Sequence, residues 1–153
     1  MTGMSQAPAT GPHAPALARL RTFYEELTPD SLARIGEVYA DNAYFKDPFN
    51  EVRGLDRIEA IFRHMFAQLG APRFVVRDVV AQGNKAFLTW DFLFVMPRMG
   101  PGEQCIRGAS HLRLDADCKV GYHRDYWDPA EELYEKLPVL GSLMRFLKRR
   151  AGQ

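Results

Sequence analysis

The sequence is poor in cysteine and in long apolar runs, and each shortage excludes a class of protein. Its two cysteines, Cys105 and Cys118, do not form a zinc-ligand spacing, and a chain of 153 residues needs no disulfide to fold, so a reducing cytoplasm is the simplest setting. No stretch approaches the roughly eighteen uninterrupted apolar residues of a membrane-spanning helix. The opening residues 1–15 lack the basic start and apolar run of a signal peptide; rich in Gly, Ala, Pro and Thr, they read as a flexible lead-in. Neither sign of charge is in excess: 20 Lys and Arg against 19 Asp and Glu give a net charge of +1, too little for a large nucleic-acid surface. A glycine-rich phosphate loop, a serine-nucleophile elbow and a paired-cysteine redox motif are also missing, so nucleotide binding, serine hydrolysis and thiol exchange have no support. His13 falls in the lead-in, and His64 has no second histidine three or four residues away. No metal site is visible, and no cofactor is expected.

A hydrophobic content of 46% is enough for one continuous core in one domain. Leu17, Leu20, Phe23, Tyr24 and Leu27 recur at helical spacing; Thr28-Pro29 then reads as a cap before a second stripe of Leu32, Ile35, Val38 and Tyr39. A strand is expected from Ala43 to Phe49, ending at Asp47-Pro48. After a turn at Gly54, the stripe Ile58, Ile61, Phe62, Met65, Phe66, Leu69 predicts a helix that covers a sheet, stopped by Gly70 and Pro72. Four strands follow as an antiparallel meander, Phe74–Ala81, Ala86–Met96, Cys105–Leu114 and Lys119–Trp127. In the second of these, Leu88, Trp90, Phe92 and Phe94 share one buried face. Asp128-Pro129-Ala130-Glu131 has the form of a helix cap, and after Pro138 a last basic helix carries Leu140, Leu143, Met144 and Leu147 on one face.

This order of elements, together with Tyr39-Ala40-Asp41-Asn42-Ala43 running through Asp47-Pro48 to Gly54, resembles the SnoaL-like polyketide cyclase and nuclear transport factor 2 superfamily, which includes the ketosteroid isomerases. The resemblance covers about residues 16–137, between the lead-in and the C-terminal helix at 138–153. It implies a cone-shaped α+β barrel, a strongly curved mixed or antiparallel sheet wrapped around N-terminal helices, with an apolar cavity and commonly a homodimer. In the isomerase branch the aspartate of the Asp-Pro step is the base, and a tyrosine and a protonated aspartic acid hold the oxyanion. Asp47 aligns with the base, Phe23 with the tyrosine (Tyr24 is one residue further on) and Ser110 with the acid. Isomerisation by that branch's mechanism is therefore not expected. The cyclases place a catalytic aspartate near the end of the last strand, which brings in Asp125.

Asp47 and Asp125 are thus the catalytic candidates, each with a bland reading beside it: Asp47 as a turn cap, Asp125 as an edge ion pair with Arg107 or Arg124. Asp128 reads as the helix cap. Phe23, Tyr24, Phe45, Phe62, Trp90, Ser110, His123 and Trp127 are the expected pocket lining, Trp90 being equally a core residue. A two-residue loop at Ala116-Asp117 sets Ser110 opposite His123. The expected partners are a small apolar ligand and a second copy, joined through an outer sheet face carrying Phe87, Leu93 and Val95. The basic C-terminal helix leaves contact with an anionic membrane surface open. Two functions compete: a cofactor-free isomerase, cyclase or hydratase with an aspartate base, and a non-catalytic binding or interaction module.

Overall fold

The computed structural model describes residues 10–134 and 138–152. Of the lead-in, residues 1–9 lie outside the described part, and helix α1 (Ala14–Glu25) begins at its end, burying Ala16, Leu17, Leu20 and Tyr24. The second helical stripe forms only a 3-10 turn, Ser31–Glu37, kinked at Arg34. Its N-cap is Asp30 and not Thr28, although Thr28 Oγ1 accepts from Ser31 N at 3.1 Å just ahead of the turn. Tyr39, expected at the end of that helix, instead opens strand β1 (Tyr39–Lys46).

The three-residue strand β2 (Glu51–Arg53) returns beside β1 and was not anticipated, because three residues carry no readable alternation. Helix α2 (Leu55–Gln68) starts after Gly54, whose φ of 105° favours glycine, and buries Ile58 and Phe62. The meander follows as β3 (Gly70–Gln82), β4 (Lys85–Val95), β5 (Glu103–Leu114) and β6 (Val120–Tyr126). Strand order is β2-β1-β6-β5-β4-β3, with β1 parallel to β6 and every other pair antiparallel. The sheet is mixed and curved but does not close into a barrel. Irregularities between Val76 and Asp78 in β3, and between Tyr39 and Tyr44 in β1, bend the strands locally.

The concave face packs on α1 and α2, where Leu20, Leu32, Ile58, Leu88 and Leu112 are almost wholly buried. Each such side chain contributes about 1.5–3 kcal/mol by leaving water. Among the described residues, the polar groups in this buried set are Ser110, His123 and the phenols of Tyr24 and Tyr39. Helix α3 (Pro129–Glu132) is capped by Asp128, whose carboxylate accepts from Ala130 N at 2.9 Å, as its sequence predicted. Helix α4 (Pro138–Ala151) ends the described chain.

Candidate functional site

An apolar cavity of about 460 Å³ opens between α2 and the concave face of the sheet. Phe45, Phe62, Trp90 and Trp127 line it, joined by Phe74, Phe92 and Ile106 from the meander and by Met65 from α2. An inner chamber of about 20 Å³, the size of one water molecule, continues from it between Tyr24, Trp90, Ser110 and His123. Asp125 borders both spaces.

Asp125 is the centre of a side-chain network. Its Oδ1 accepts from Ser110 Oγ at 2.5 Å and lies 2.5 Å from His123 Nε2. Ser110 in turn receives Trp90 Nε1–H at 2.9 Å. On the far side of the imidazole, Nδ1 lies 2.7 Å from Tyr39 Oη and 2.9 Å from Tyr24 Oη, and the two phenols also meet each other. With Asp125 ionised, one assignment satisfies the chain: Nε2 carries the proton toward Asp125, and Nδ1 accepts from a tyrosine. Burial pushes both phenols well above their ordinary pKa, reinforced by the negative charge of Asp125. Both therefore remain neutral donors. No described residue donates to Asp125 Oδ2.

The backbone makes this arrangement possible. Gly108 faces Trp90 across β4 and β5, and a Cβ there would sit 2.6 Å from Trp90 Cζ2. Only glycine leaves room for the indole to lie against β5 and reach Ser110. The β5–β6 register differs from expectation. Ser110 pairs with Asp125, and Leu112 pairs with His123, because the turn runs from Asp115 to Lys119 with Cys118 at a φ of 59°. The shift is two residues, an even number, so Ser110, His123 and Asp125 still face inward.

Asp47 is placed otherwise than its candidacy as a base required. It borders the cavity, but Oδ1 accepts from Phe49 N at 2.8 Å and from Asn50 N at 2.6 Å, and the Asn50 amide reaches both oxygens at 3.1 Å. Its carboxylate is the acceptor of the β1–β2 turn. Phe23 is a correction as well. Its ring lines a separate surface groove with Arg19 and Glu37, because one residue along α1 is a turn of about 100°, and it is Tyr24 that faces the inner chamber. Trp127 stands just beyond the end of β6 and packs edge-on against Phe49, ring centres 5.5 Å apart. The contribution that sequence reasoning missed is Tyr39, whose apolar spacing with Ile35 imitates a helix. Its signal lay in the parallel pairing of β1 with β6, which brings Phe45 beside His123.

Comparison with known proteins agrees with this architecture. The SnoaL-like domain matches residues 20–123, well over half of the chain. The chain belongs to the SnoaL-like family. No curated protein matches it in sequence. Among solved structures it resembles a protein of ketosteroid isomerase-like fold from Catenulispora acidiphila, crystallised with trimethylamine, at TM-score 0.68 and 15% identity over 84% of this chain and 96% of that one. An LEH-like epoxide hydrolase of M. tuberculosis gives TM-score 0.64 at 15% identity over 86% and 95%. An NTF2-like protein from Burkholderia pseudomallei gives 0.65 at 14% over 76% and 92%. At these identities the likeness is one of fold.

Proposed function

We infer that the protein binds a small apolar molecule in the cavity and moves a proton on it with Asp125. The observation that carries this reading is a carboxylate set in an apolar cavity, fixed through one oxygen by Ser110 and His123 and with no described donor to the other. Fixing Oδ1 points Oδ2 in one direction, and orientation is what a general base needs. Asp125 takes a proton from an activated carbon of the ligand and returns it to another atom of the same molecule. That transfer needs no cofactor and suits an isomerase or cyclase; a hydratase would add the attack of a water. Trp127 and Phe45 provide the apolar walls.

A test follows directly. Apolar ketones and epoxides that quench tryptophan fluorescence identify the ligand class, and incubation in D2O then shows by NMR whether acidic C–H positions exchange. Exchange that disappears in Asp125→Asn supports the base; exchange unchanged in that variant removes it.

One observation favours a carrier that binds without turnover: Phe23, at the position of the isomerases' phenolic donor, faces away from the cavity. Tight binding with no exchange on any ligand would establish that second reading. We also retain the homodimer as part of the proposal. Val80 and Phe87 pair on the outer sheet face and stand 65% and 49% exposed, an apolar area that a second copy would cover. Light scattering at low micromolar concentration decides it.

A further inference from the structure

Helix α4 leaves three large apolar side chains uncovered. Leu143, Phe146 and Leu147 are 52%, 46% and 49% exposed, while Gly141, nearly opposite them on the helix, is buried. The segment 138–153 contains four basic residues, Arg145, Lys148, Arg149 and Arg150, and no acidic one. All four basic side chains are exposed. Three of them stand in the last turn, where they also offset the helix macrodipole. That accounts for their position but not for three large apolar side chains in water.

Charge decides what covers this face. A second copy of the helix packed on the first would gather eight cationic groups around one apolar seam with no acid on either helix. An anionic bilayer instead supplies hydrocarbon to the apolar side and phosphates to the basic flank. Fourteen residues rise about 21 Å, short of the roughly 30 Å hydrocarbon thickness, so such a helix lies in the interface rather than across it. No helix among the described residues is long and apolar enough to span. We propose that α4 docks the protein onto anionic lipid bilayers, with Leu143, Phe146 and Leu147 in the headgroup–acyl boundary and Arg149 and Arg150, which lie beside them on the helix, on headgroup phosphates. Lys148 lies 4.0 Å from Glu131 of α3, and Leu133, two residues further on, lines the cavity, so docking would hold the cavity close to the bilayer surface.

Cosedimentation of the full chain with vesicles tests this. Vesicles containing about 30 mol% phosphatidylglycerol in phosphatidylcholine should bind the protein at least tenfold more strongly than phosphatidylcholine alone, since each basic residue contributes roughly fivefold at an anionic surface. Arg149→Gln with Arg150→Gln should lower the partition coefficient about twenty-five-fold. Phe146→Ser with Leu147→Ser keeps every charge and should lower it at least tenfold. Circular dichroism on each double variant checks that the domain remains folded. Raising salt from about 0.1 M to about 1 M shortens the Debye length from about 10 Å to about 3 Å and should weaken binding of the parent chain. Equal binding to both vesicle types, or binding that survives Phe146→Ser with Leu147→Ser, overturns the proposal. Failure to bind anionic vesicles at low salt does the same, as does light scattering in which that double variant converts a dimer to a monomer.

Discussion

Asp47 and Asp125 stand near the ends of two parallel neighbours, since Phe45 pairs with His123 and Lys46 with Arg124, and both border the same cavity. Their carboxylates are held in different ways. Asp47 is satisfied by Phe49 and Asn50, two and three residues ahead, so its partners are local and belong to the turn. Asp125 is satisfied by Ser110 from the adjacent strand and by His123, behind which stand Tyr24 of α1 and Tyr39 of β1. A local hold fixes backbone; a hold assembled from four elements fixes the direction of a side chain. Only the second arrangement leaves a carboxylate oxygen for a ligand.

The sharpest way to break this comparison is to neutralise each acid in turn. Asp125→Asn should reduce turnover, or deuterium exchange in a bound ligand, by about two orders of magnitude or more. Asp47→Asn should change it less than about threefold, since the amide oxygen still accepts from the turn. Equal losses in the two variants would return Asp47 to the chemistry. A smaller effect tests the support beneath Asp125: Gly108→Ala should destabilise the fold by about 1–3 kcal/mol in urea, because the added methyl overlaps the Trp90 indole. The same variant should weaken the Trp90–Ser110 hydrogen bond and alter Trp90 emission. An unaltered unfolding midpoint would mean that Trp90 has another place to go. Asp47→Ala should cost about 1–2 kcal/mol through its lost turn bonds without affecting ligand affinity. Loss of affinity at unchanged stability would reverse the assignment of the two acids.

This contrast explains which features the sequence made legible. Periodicity marks which side of an element is apolar, so the meander, α2 and the inward set Phe45, Phe62, Trp90, Ser110, His123 and Trp127 could be read directly. The Asp128 cap could be read for the same reason that Asp47's turn could be suspected: its partners lie within three residues. Distances between strands could not be read. The β5–β6 register depended on a turn with Cys118 in the left-handed region, where a non-glycine residue gives no warning. Tyr39 was hidden because a tyrosine four residues after Ile35 fits a helix as well as it fits the start of a strand. Asp125 was a candidate through family resemblance; its partnership with Ser110 required the true register.

The weakest effect we predict lies at the far end of the same network and is an alkaline one. Tyr24 and Tyr39 are buried side by side, and burial raises both phenols above the ordinary tyrosine value of about 10, while the charge on Asp125 opposes their ionisation further. The unfolded chain ionises these tyrosines near pH 10 and the folded chain does not, so above that pH the unfolded state binds fewer protons and stability falls as pH rises. Below pH 10 both states are neutral and the contribution is fully present. Tyr39→Phe removes one of the two groups, so above pH 10 the parent chain should lose about 1.4 kcal/mol more per pH unit than the variant. Asp47, whose partners are two backbone amides and one side-chain amide, supplies the control: Asp47→Asn should leave this alkaline slope unchanged. Urea unfolding of the three proteins at pH 8 and at about pH 11 measures the difference, and lysine ionisation cancels between them. Parallel slopes for Tyr39→Phe and the parent would mean that the phenols ionise as freely in the fold as outside it. The tyrosine pair would then no longer back His123, and the contrast between a locally held and a network-held acid would stop at the imidazole.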